Sequence, residues 1–292
     1  MSTLLRHVAL VSESPAVPTD SLLPVAAALQ KQAARDLGPI WNISATVDPF
    51  PRLRDVPTDY WPIVIRDDIR VRQAGVHLDR NGQPFALVRA GAAPDLWSLT
   101  CSHEMCEMLV DPFGATLVAG ASVHPDQGRV NYLVEVCDPS GGTAHAYRVN
   151  DVLVSDFYTP HFFDPVRSGG VRYSFNGRIP SPRTVLEGGY LSWHDLATDI
   201  WWQQVWPRGA AAAQLRRVGR LAPGGSLRAQ IDRRTPHPSD EAPDGARGPS
   251  TAVGTKPDQR AEEAKESRAG ALREEIGRLE RDGRDGGDEG NG

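Results

Sequence analysis

Hydrophobic and polar positions alternate with two different periods in the first part of the chain. Residues 43–47 alternate apolar with hydroxyl-bearing side chains, which is the period of a half-buried strand. Apolar side chains instead recur at every fourth position from residue 25 to residue 37, which predicts a helix. We expect this helix to begin after Ser21, a capping residue, and to stop at Gly38 and Pro39, because neither residue favours continuing a helix.

The same patterns place further elements along the chain. Apolar or alternating runs predict strands at residues 7–11, 61–65, 115–121, 132–136, 144–149 and 152–157. A hairpin with arms at 74–78 and 85–89 precedes a helix at 96–109, and Pro84 indicates that its second arm is an edge strand. Residues 159–206, rich in Pro, Gly and aromatic residues, are expected to form loops that wrap the core. This order of elements predicts an α+β fold.

Large aromatic and sulfur-containing residues are confined to the first part of the chain. Every Trp, Tyr, Phe, Cys and Met lies before residue 207, so the rest of the chain lacks the side chains that offset the entropy of ordering. The composition therefore predicts a folded domain at residues 1–207 and a disordered, low-complexity charged tail at 208–292. A charged helix is expected within the tail at 259–281, and the tail is a candidate for binding a protein partner.

Charge and cysteine content narrow the class of protein. The net charge of −5 offers no concentrated basic face, so we expect no nucleic-acid partner. No apolar run is long enough to span a membrane, and the short amino-terminal apolar segment does not resemble a signal peptide, so a cytoplasmic location is predicted. Cys101, Cys106 and Cys137 cannot all pair with one another, which favours reduced thiols.

The candidate chemistry lies in the predicted helix at 96–109, in the motif His103-Glu104-Met-Cys-Glu107. Residues four apart share a helix face, so the His103 imidazole and the Glu107 carboxylate have the spacing of two ligands to one metal ion. Glu104 then stands where a carboxylate accepts a proton from water bound to the metal, the position of a general base. Apolar neighbours indicate that the helix is buried, and buried carboxylates need a partner.

A catalytic metal site of this kind uses three protein ligands and one open position. Glu135, which interrupts an apolar strand, is the predicted third ligand, although an acid on the polar face of a strand is about as consistent with the pattern. Asp111 and Asp138 are second choices, because ending the helix and shaping a turn are the simpler roles for these two acids. A cysteine thiolate near the motif is a further alternative, but such a residue is more often a small buried hydrophobe.

Tyr158 is the remaining candidate for the site. If its segment folds back under the helix, its hydroxyl can donate a hydrogen bond to a developing oxyanion. Aromatic packing is the simpler role for this side chain, and both roles stay open at the level of sequence.

Several strings resemble a family of uncharacterised bacterial proteins with a His-Glu-x-x-Glu core. They are Ala28-Leu-Gln-Lys-Gln, Gly38-Pro-Ile-Trp, Ser102-His-Glu-Met-Cys-Glu-Met-Leu-Val-Asp-Pro, Asp156-Phe-Tyr-Thr-Pro and Gly188-Gly-Tyr. The core and the string from Glu135 to Asp138 are also similar to plant exordium-like (phosphate-induced) proteins. The resemblance implies a zincin-like metallopeptidase fold, in which substrate lies along the edge strand, here 85–89, above the active-site helix.

The spacing of the motif assigns His103, Glu107 and Glu135 as ligands of one ion, and the resemblance to zinc metallopeptidases favours zinc as that ion. Glu107 stands where zincins carry a second His, and its added negative charge shifts preference somewhat towards Mn²⁺ or Fe²⁺, with zinc still the first choice. The leading hypothesis is a metal-dependent hydrolase, a metallopeptidase acting on a peptide or protein substrate. The alternative is a non-catalytic binding or structural module built on a zincin-like scaffold.

Overall fold

The computed structural model of the chain describes residues 4–71, 73–91, 96–222 and 226–235. It is a mixed α+β structure with two five-stranded sheets, as the order of predicted elements indicates. A long helix, α3 (Leu96–Val110), packs against the first sheet and carries the His103 motif. No helix within these ranges is both long enough and apolar enough to cross a bilayer.

The first sheet is parallel except at one edge. It contains β1 (Leu5–Ser12), β2 (Ser44–Phe50), β3 (Tyr60–Arg66), β4 (Gly75–Arg80) and β5 (Gln83–Arg89) in the order β2-β1-β3-β5-β4. Only β4 runs antiparallel to its neighbour, and β4 rather than β5 is the edge strand. The prediction of an edge strand at 85–89 is therefore wrong. Pro84 is tolerated inside the sheet because the ladder between β5 and β3 begins only at Ala86, beyond the missing N–H.

The first helix continues past its predicted end. It begins as α1 (Leu22–Lys31), widens into a π-helical segment (Gln32–Leu37) and ends as α2 (Gly38–Trp41). Pro39 sits in the first turn of α2, where a missing N–H is tolerated. Asn42, with a φ of 53°, takes the left-handed position that ends the helix. The predicted stop at Gly38 is thus displaced to Asn42.

Helix α3 (Leu96–Val110) forms where the pattern predicts it. It contacts β3, β4 and β5 on one side and the small β-hairpin of β8 (Tyr147–Val149) and β9 (Val152–Val154) on another. Apolar residues on more than one face of the helix are buried in the main core, among them Trp97, Met105 and Met108. A helix buried on several faces can place its polar residues only in an internal site.

The second sheet is antiparallel and includes three strands that the pattern analysis missed. Its strands are β6 (Leu117–Ala121), β7 (Arg129–Leu133), β10 (Tyr190–Asp195), β11 (Ile200–Val205) and β12 (Gln214–Gly219), in the order β12-β11-β10-β7-β6. Strands β10 and β11 lie in the stretch 159–206 that was expected to form only loops. Their aromatic side chains pack on the sheet, as in the pairing of Trp193 with Trp202.

Ordered structure also continues beyond the predicted domain end at 207. Strand β12 extends the second sheet through backbone hydrogen bonds, which need no large side chains. Helix α4 (Leu227–Asp232) follows and buries Ile231 against Leu133 and Trp201. Composition alone misplaces this boundary, because a few apolar residues suffice when a core already exists. The predicted tail beyond residue 235, with its helix at 259–281, lies outside the described residues.

Candidate metal centre

Helix α3 brings His103 and Glu107 together as their spacing predicts. The Nε2 atom of His103 lies 3.3 Å from Oε1 of Glu107. The Glu107 side chain is fully buried, whereas 18% of the His103 side chain is exposed. Within the pair, Glu107 is therefore shielded from solvent, whereas His103 is partly accessible to it.

Asp138 completes a triad with these two residues. It opens a short 3-10 turn (Asp138–Ser140) that follows β7, and its Oδ1 lies 3.2 Å from His103 Nε2. The three ligand atoms all lie within 4.8 Å of one another. Gly189 lets this turn pack closely, because a Cβ there would lie 2.6 Å from the Asp138 carbonyl oxygen. Asp138, a second choice in the sequence, thus joins His103 and Glu107.

Glu135 is not brought into that triad. Strand β7 ends at Leu133, so Glu135 lies in the connection that follows rather than within a strand through 136. Its carboxylate is buried and contacts the guanidinium of Arg228 from α4. Glu135 remains a member of the acidic cluster around α3, but its described partner is Arg228 and not His103.

His77 is a site residue that the sequence analysis left unassigned. It lies on the edge strand β4, and its Nδ1 is 3.7 Å from both Glu104 Oε2 and Glu107 Oε2. Its Nε2 is 3.1 Å from the carbonyl oxygen of Asp111, at the end of α3. His77, Glu104 and Glu107 form a second triad of buried ligand atoms. The available signal was a histidine in a buried strand next to the motif helix.

Gly75 explains how β4 approaches the helix so closely. A Cβ at Gly75 would lie 2.6 Å from Glu104 Oε1 and 2.5 Å from Thr100 Cγ2. Any side chain at this position would therefore push the Glu104 carboxylate away from its place.

Arg228 is the second residue that the sequence analysis missed. Its Nη1 lies 2.6 Å from Glu107 Oε2 and also contacts Glu135, while its Nη2 lies 3.7 Å from Glu104 Oε2. Its Nε lies 3.2 Å from Oδ2 of Asp232, one turn further along α4. Only 3% of this side chain is exposed, so α4 delivers a buried positive charge to four carboxylates.

Gly114 makes room for α4 at this position. It has a φ of 55°, a conformation that favours glycine, and a Cβ there would lie 2.8 Å from Arg228 Cβ. The loop after α3 is therefore shaped to receive Arg228.

The charges set the protonation of the cluster. Burial alone would raise the pKa of Glu107, but the positive charges of Arg228 and His103 hold it well below its usual range. Burial opposes a charged imidazole, yet the Glu107 charge and hydrogen bonds to carboxylates raise the pKa of His103 well above its ordinary value. The pKa of Asp138 is raised by burial and by repulsion from Glu107. The cluster thus favours cations, whether protons, a guanidinium or a metal ion.

Tyr158 packs in an aromatic cluster beside this site. Its ring stacks on Phe162 with centroids 4.3 Å apart and meets Phe163 edge-on. Its backbone N–H donates to Val136, which ties its segment to the connection that carries Glu135 and Asp138. The hydroxyl is buried and has no hydrogen-bond partner among the described residues. The predicted aromatic packing is present, and the oxyanion role stays a prediction.

The three cysteines are reduced and buried, as predicted. Neither triad includes a thiol. The contribution of Cys137 to the site comes from its backbone, whose N–H donates to Glu107 Oε1 at 3.3 Å. This bond orients the Glu107 carboxylate towards His103.

A separate cleft lies on the second sheet. It has a volume of about 610 Å³ and is lined by residues that include His124, Trp202, Arg217 and Arg220. None of its lining residues belongs to the triads, so it is a different feature from the cluster on α3.

Comparison with known protein families, with characterised proteins and with solved structures finds no match for this chain. The functional assignment therefore rests on the geometry and chemistry of the cluster.

Proposed function

We propose that this protein is a metal-dependent hydrolase whose ion is held by His103, Glu107 and Asp138. The observation that carries the proposal is the convergence of three ligand atoms on one point, with His103 Nε2 at 3.3 Å from Glu107 and 3.2 Å from Asp138. Two ligands bound to zinc at about 2.05 Å with a tetrahedral angle lie about 3.3 Å apart. The two separations from His103 match this spacing, and all three ligand atoms lie within 4.8 Å of one another, which supports one shared ion.

The donor set suits zinc and also Mn²⁺ or Fe²⁺, since it combines one imidazole nitrogen with carboxylate oxygens. When bound, such an ion lowers the pKa of water and polarises a carbonyl group. The partly exposed edge of His103 is the side on which water and substrate reach the site.

Glu104 is the proton acceptor in this proposal. Glu104 follows His103 on α3 but is not a member of the His103 triad. Its Oε2 atom forms no hydrogen bond with any described residue. A buried carboxylate oxygen that has charged neighbours at 3.7 Å but no hydrogen-bond partner is available to take a proton from water. The N–H of Cys137 and the turn at Asp138 hold the ligands in place during that transfer.

A peptide is the proposed substrate, bound along β4. This strand is the antiparallel edge of the first sheet and packs on α3, so an extended segment added to it would run beside Glu104. The position differs from the expected one at 85–89, because β5 is paired on both sides. An antiparallel edge strand beside a motif helix supports the zincin-like fold that the resemblance implies.

A second candidate function is supported by Arg228. Its guanidinium already neutralises the carboxylates of Glu104, Glu107 and Glu135, so the cluster can persist without a metal ion. In that case the network fixes α4 on the domain and the protein is a non-catalytic binding or structural module.

Metal content decides between these functions. We would purify the full chain without a His-tag and measure zinc, manganese and iron by elemental mass spectrometry. We expect about one ion per chain in wild type and in Glu135→Gln, and none in His103→Ala or Asp138→Ala. Retention of metal by His103→Ala, or its absence from folded wild-type protein after reconstitution with each ion, would overturn the hydrolase proposal.

Glu104→Gln separates binding from catalysis. We expect this variant to keep the ion and to lose hydrolysis of a mixed peptide library, read by mass spectrometry of the products. A wild-type protein that holds metal and cleaves no peptide would leave the structural module as the function.

A further inference from the structure

Glu107 belongs to both triads through different oxygen atoms. Its Oε1 faces His103 at 3.3 Å, and its Oε2 faces His77 Nδ1 at 3.7 Å. A carboxylate that presents one oxygen to each of two ligand groups has the arrangement of a bridge between two cations. The proposed function assigns no role to His77 itself, although it uses Glu104 and Glu107, the two acids that face His77.

His77 has an unsatisfied nitrogen on that side. Its Nε2 lies at hydrogen-bonding distance from the Asp111 carbonyl oxygen, so in the neutral ring Nε2 carries the proton and donates it there. Nδ1 then presents a lone pair to the carboxylates of Glu104 and Glu107. Neither Nδ1 nor Glu104 Oε2 has a hydrogen-bond partner among the described residues, and both side chains are at least 97% buried. In the neutral ring, Nδ1 and the carboxylate oxygens are all acceptors, so they face each other with no donor between them.

A cation is the species that satisfies such an arrangement. Histidines that bind metals commonly donate their second nitrogen to a backbone carbonyl, as His77 does to Asp111. Arg228 supplies a positive charge nearby, but it contacts the carboxylates and not Nδ1 of His77. The guanidinium therefore neutralises the acids and leaves the histidine nitrogen unsatisfied.

We propose that His77, Glu104 and Glu107 form a second divalent-cation site, and that Arg228 competes with this cation for the same carboxylates. One nitrogen and two carboxylate oxygens suit Mn²⁺, Fe²⁺ or Zn²⁺. A dication and a guanidinium beside the same oxygens repel each other, so one displaces the other. The inference rests on the proposed function, because Glu107 would bridge the two ions, and a second ion would occupy the Glu104 carboxylate that otherwise accepts the proton.

In this proposal, binding of the second ion displaces the guanidinium of Arg228, which helix α4 carries. The helix is short (Leu227–Asp232), and Arg228 is its principal link to the acids of α3. Asp232 holds the guanidinium from within the same helix, through Nε at 3.2 Å. Weakening that internal contact should favour the ion without touching any of its ligands.

Manganese binding by the full chain tests the proposal. We would load the protein with Mn²⁺, dialyse it, and measure ions per chain by native mass spectrometry and magnetic coupling by electron paramagnetic resonance. We expect about one Mn²⁺ in wild type and about two, with the spectrum of a coupled pair, in Arg228→Met. Adding His77→Ala to Arg228→Met should remove only the second ion. Arg233→Met, a change at an exposed neighbour in the same segment, is the matched control and should behave as wild type.

Each outcome decides one point. If folded Arg228→Met binds no more Mn²⁺ than wild type, or if the added ion survives His77→Ala, the second site is refuted. Two ions already present in wild type would refute the competition with Arg228. If wild type holds none but Arg228→Met gains one that depends on His77, the second site stands and the His103 site fails.

A milder variant covers the case in which Arg228→Met does not fold. Asp232→Asn keeps the guanidinium but removes the negative charge of the ion pair at 3.2 Å, and loss of one buried contact between charged groups corresponds to about tenfold in affinity. We expect the second Mn²⁺ to bind at about tenfold lower concentration than in wild type. An unchanged titration in folded Asp232→Asn protein would overturn the competition.

Discussion

Asp156 carries a charge that folding penalises, and replacing it with Asn should stabilise the protein at neutral pH. The side chain is fully buried, and burial raises its pKa to about 6, from an ordinary value of 3.8, against the effect of a hydrogen bond from the Asn176 N–H. The difference of about 2 pKa units corresponds to about 3 kcal/mol at 1.36 kcal/mol per unit.

The sign of the pH dependence follows from the raised pKa. Below pH 3.8 the carboxyl group is protonated in both states and folding is not penalised. Between 3.8 and about 6 the unfolded chain ionises first, so the free energy of unfolding falls as the pH rises, and above 6 the loss is complete. The amide introduced by Asp156→Asn has nearly the same shape as the carboxyl group and accepts the same N–H, but it does not titrate.

The measurement is urea unfolding of wild type and Asp156→Asn at several pH values from 4 to 7.5. We expect the variant's advantage in unfolding free energy to grow by up to about 3 kcal/mol across the range and to level off above pH 6. Other titrating groups cancel in the difference. Asp126→Asn, at an exposed position, is the control and should show no such growth. A difference that stays flat, or that favours wild type as the pH rises, would refute the reasoning.

Substitutions at three further positions test local structure. Gly75→Ala places a Cβ 2.6 Å from Glu104 Oε1, so we expect a loss of about 1–3 kcal/mol in calorimetry, and an unchanged melting temperature would contradict this contact. Ser102→Ala removes a buried hydroxyl that donates to Gln32 Oε1 at 2.7 Å, and we expect it to lower the free energy of unfolding in urea by about 1–3 kcal/mol. An unchanged free energy of unfolding would contradict the importance of this hydrogen bond. Asn42→Ala should destabilise by about 1 kcal/mol at a φ of 53° while Asn42→Gly should not, and equal effects would refute the left-handed helix end.

What the sequence could predict is local. The pairing of His103 with Glu107 follows from helix geometry alone, because four residues make about one turn, and the apolar neighbours required that helix to be buried. The strands of the first sheet were equally accessible, since each is a short apolar or alternating run bounded by turn residues.

The third partner could not be found in the same way. Glu135 and Asp138 are three residues apart, and the choice between them depends on where β7 ends and the following turn begins. That point is set by the pairing of β7 with the neighbouring strand β6 and with β10, which is distant in sequence. Arg228 could not be identified from the sequence at all, because a polar segment with one buried arginine has the same composition as a solvated tail.

The position of Arg228 in the chain has a consequence for how the protein is made. Glu107 and its guanidinium partner are 121 residues apart, an interval that a ribosome translates in roughly 6–24 s at about 5–20 residues per second. Throughout that time the acids of α3 are synthesised but lack their internal counter-charge. Protons or a metal ion must neutralise them, or the helix must remain undocked, until the segment that carries Arg228 emerges from the ribosome. A chain that ended at residue 207 would lack Arg228, so the acids of α3 would permanently lack this counter-charge.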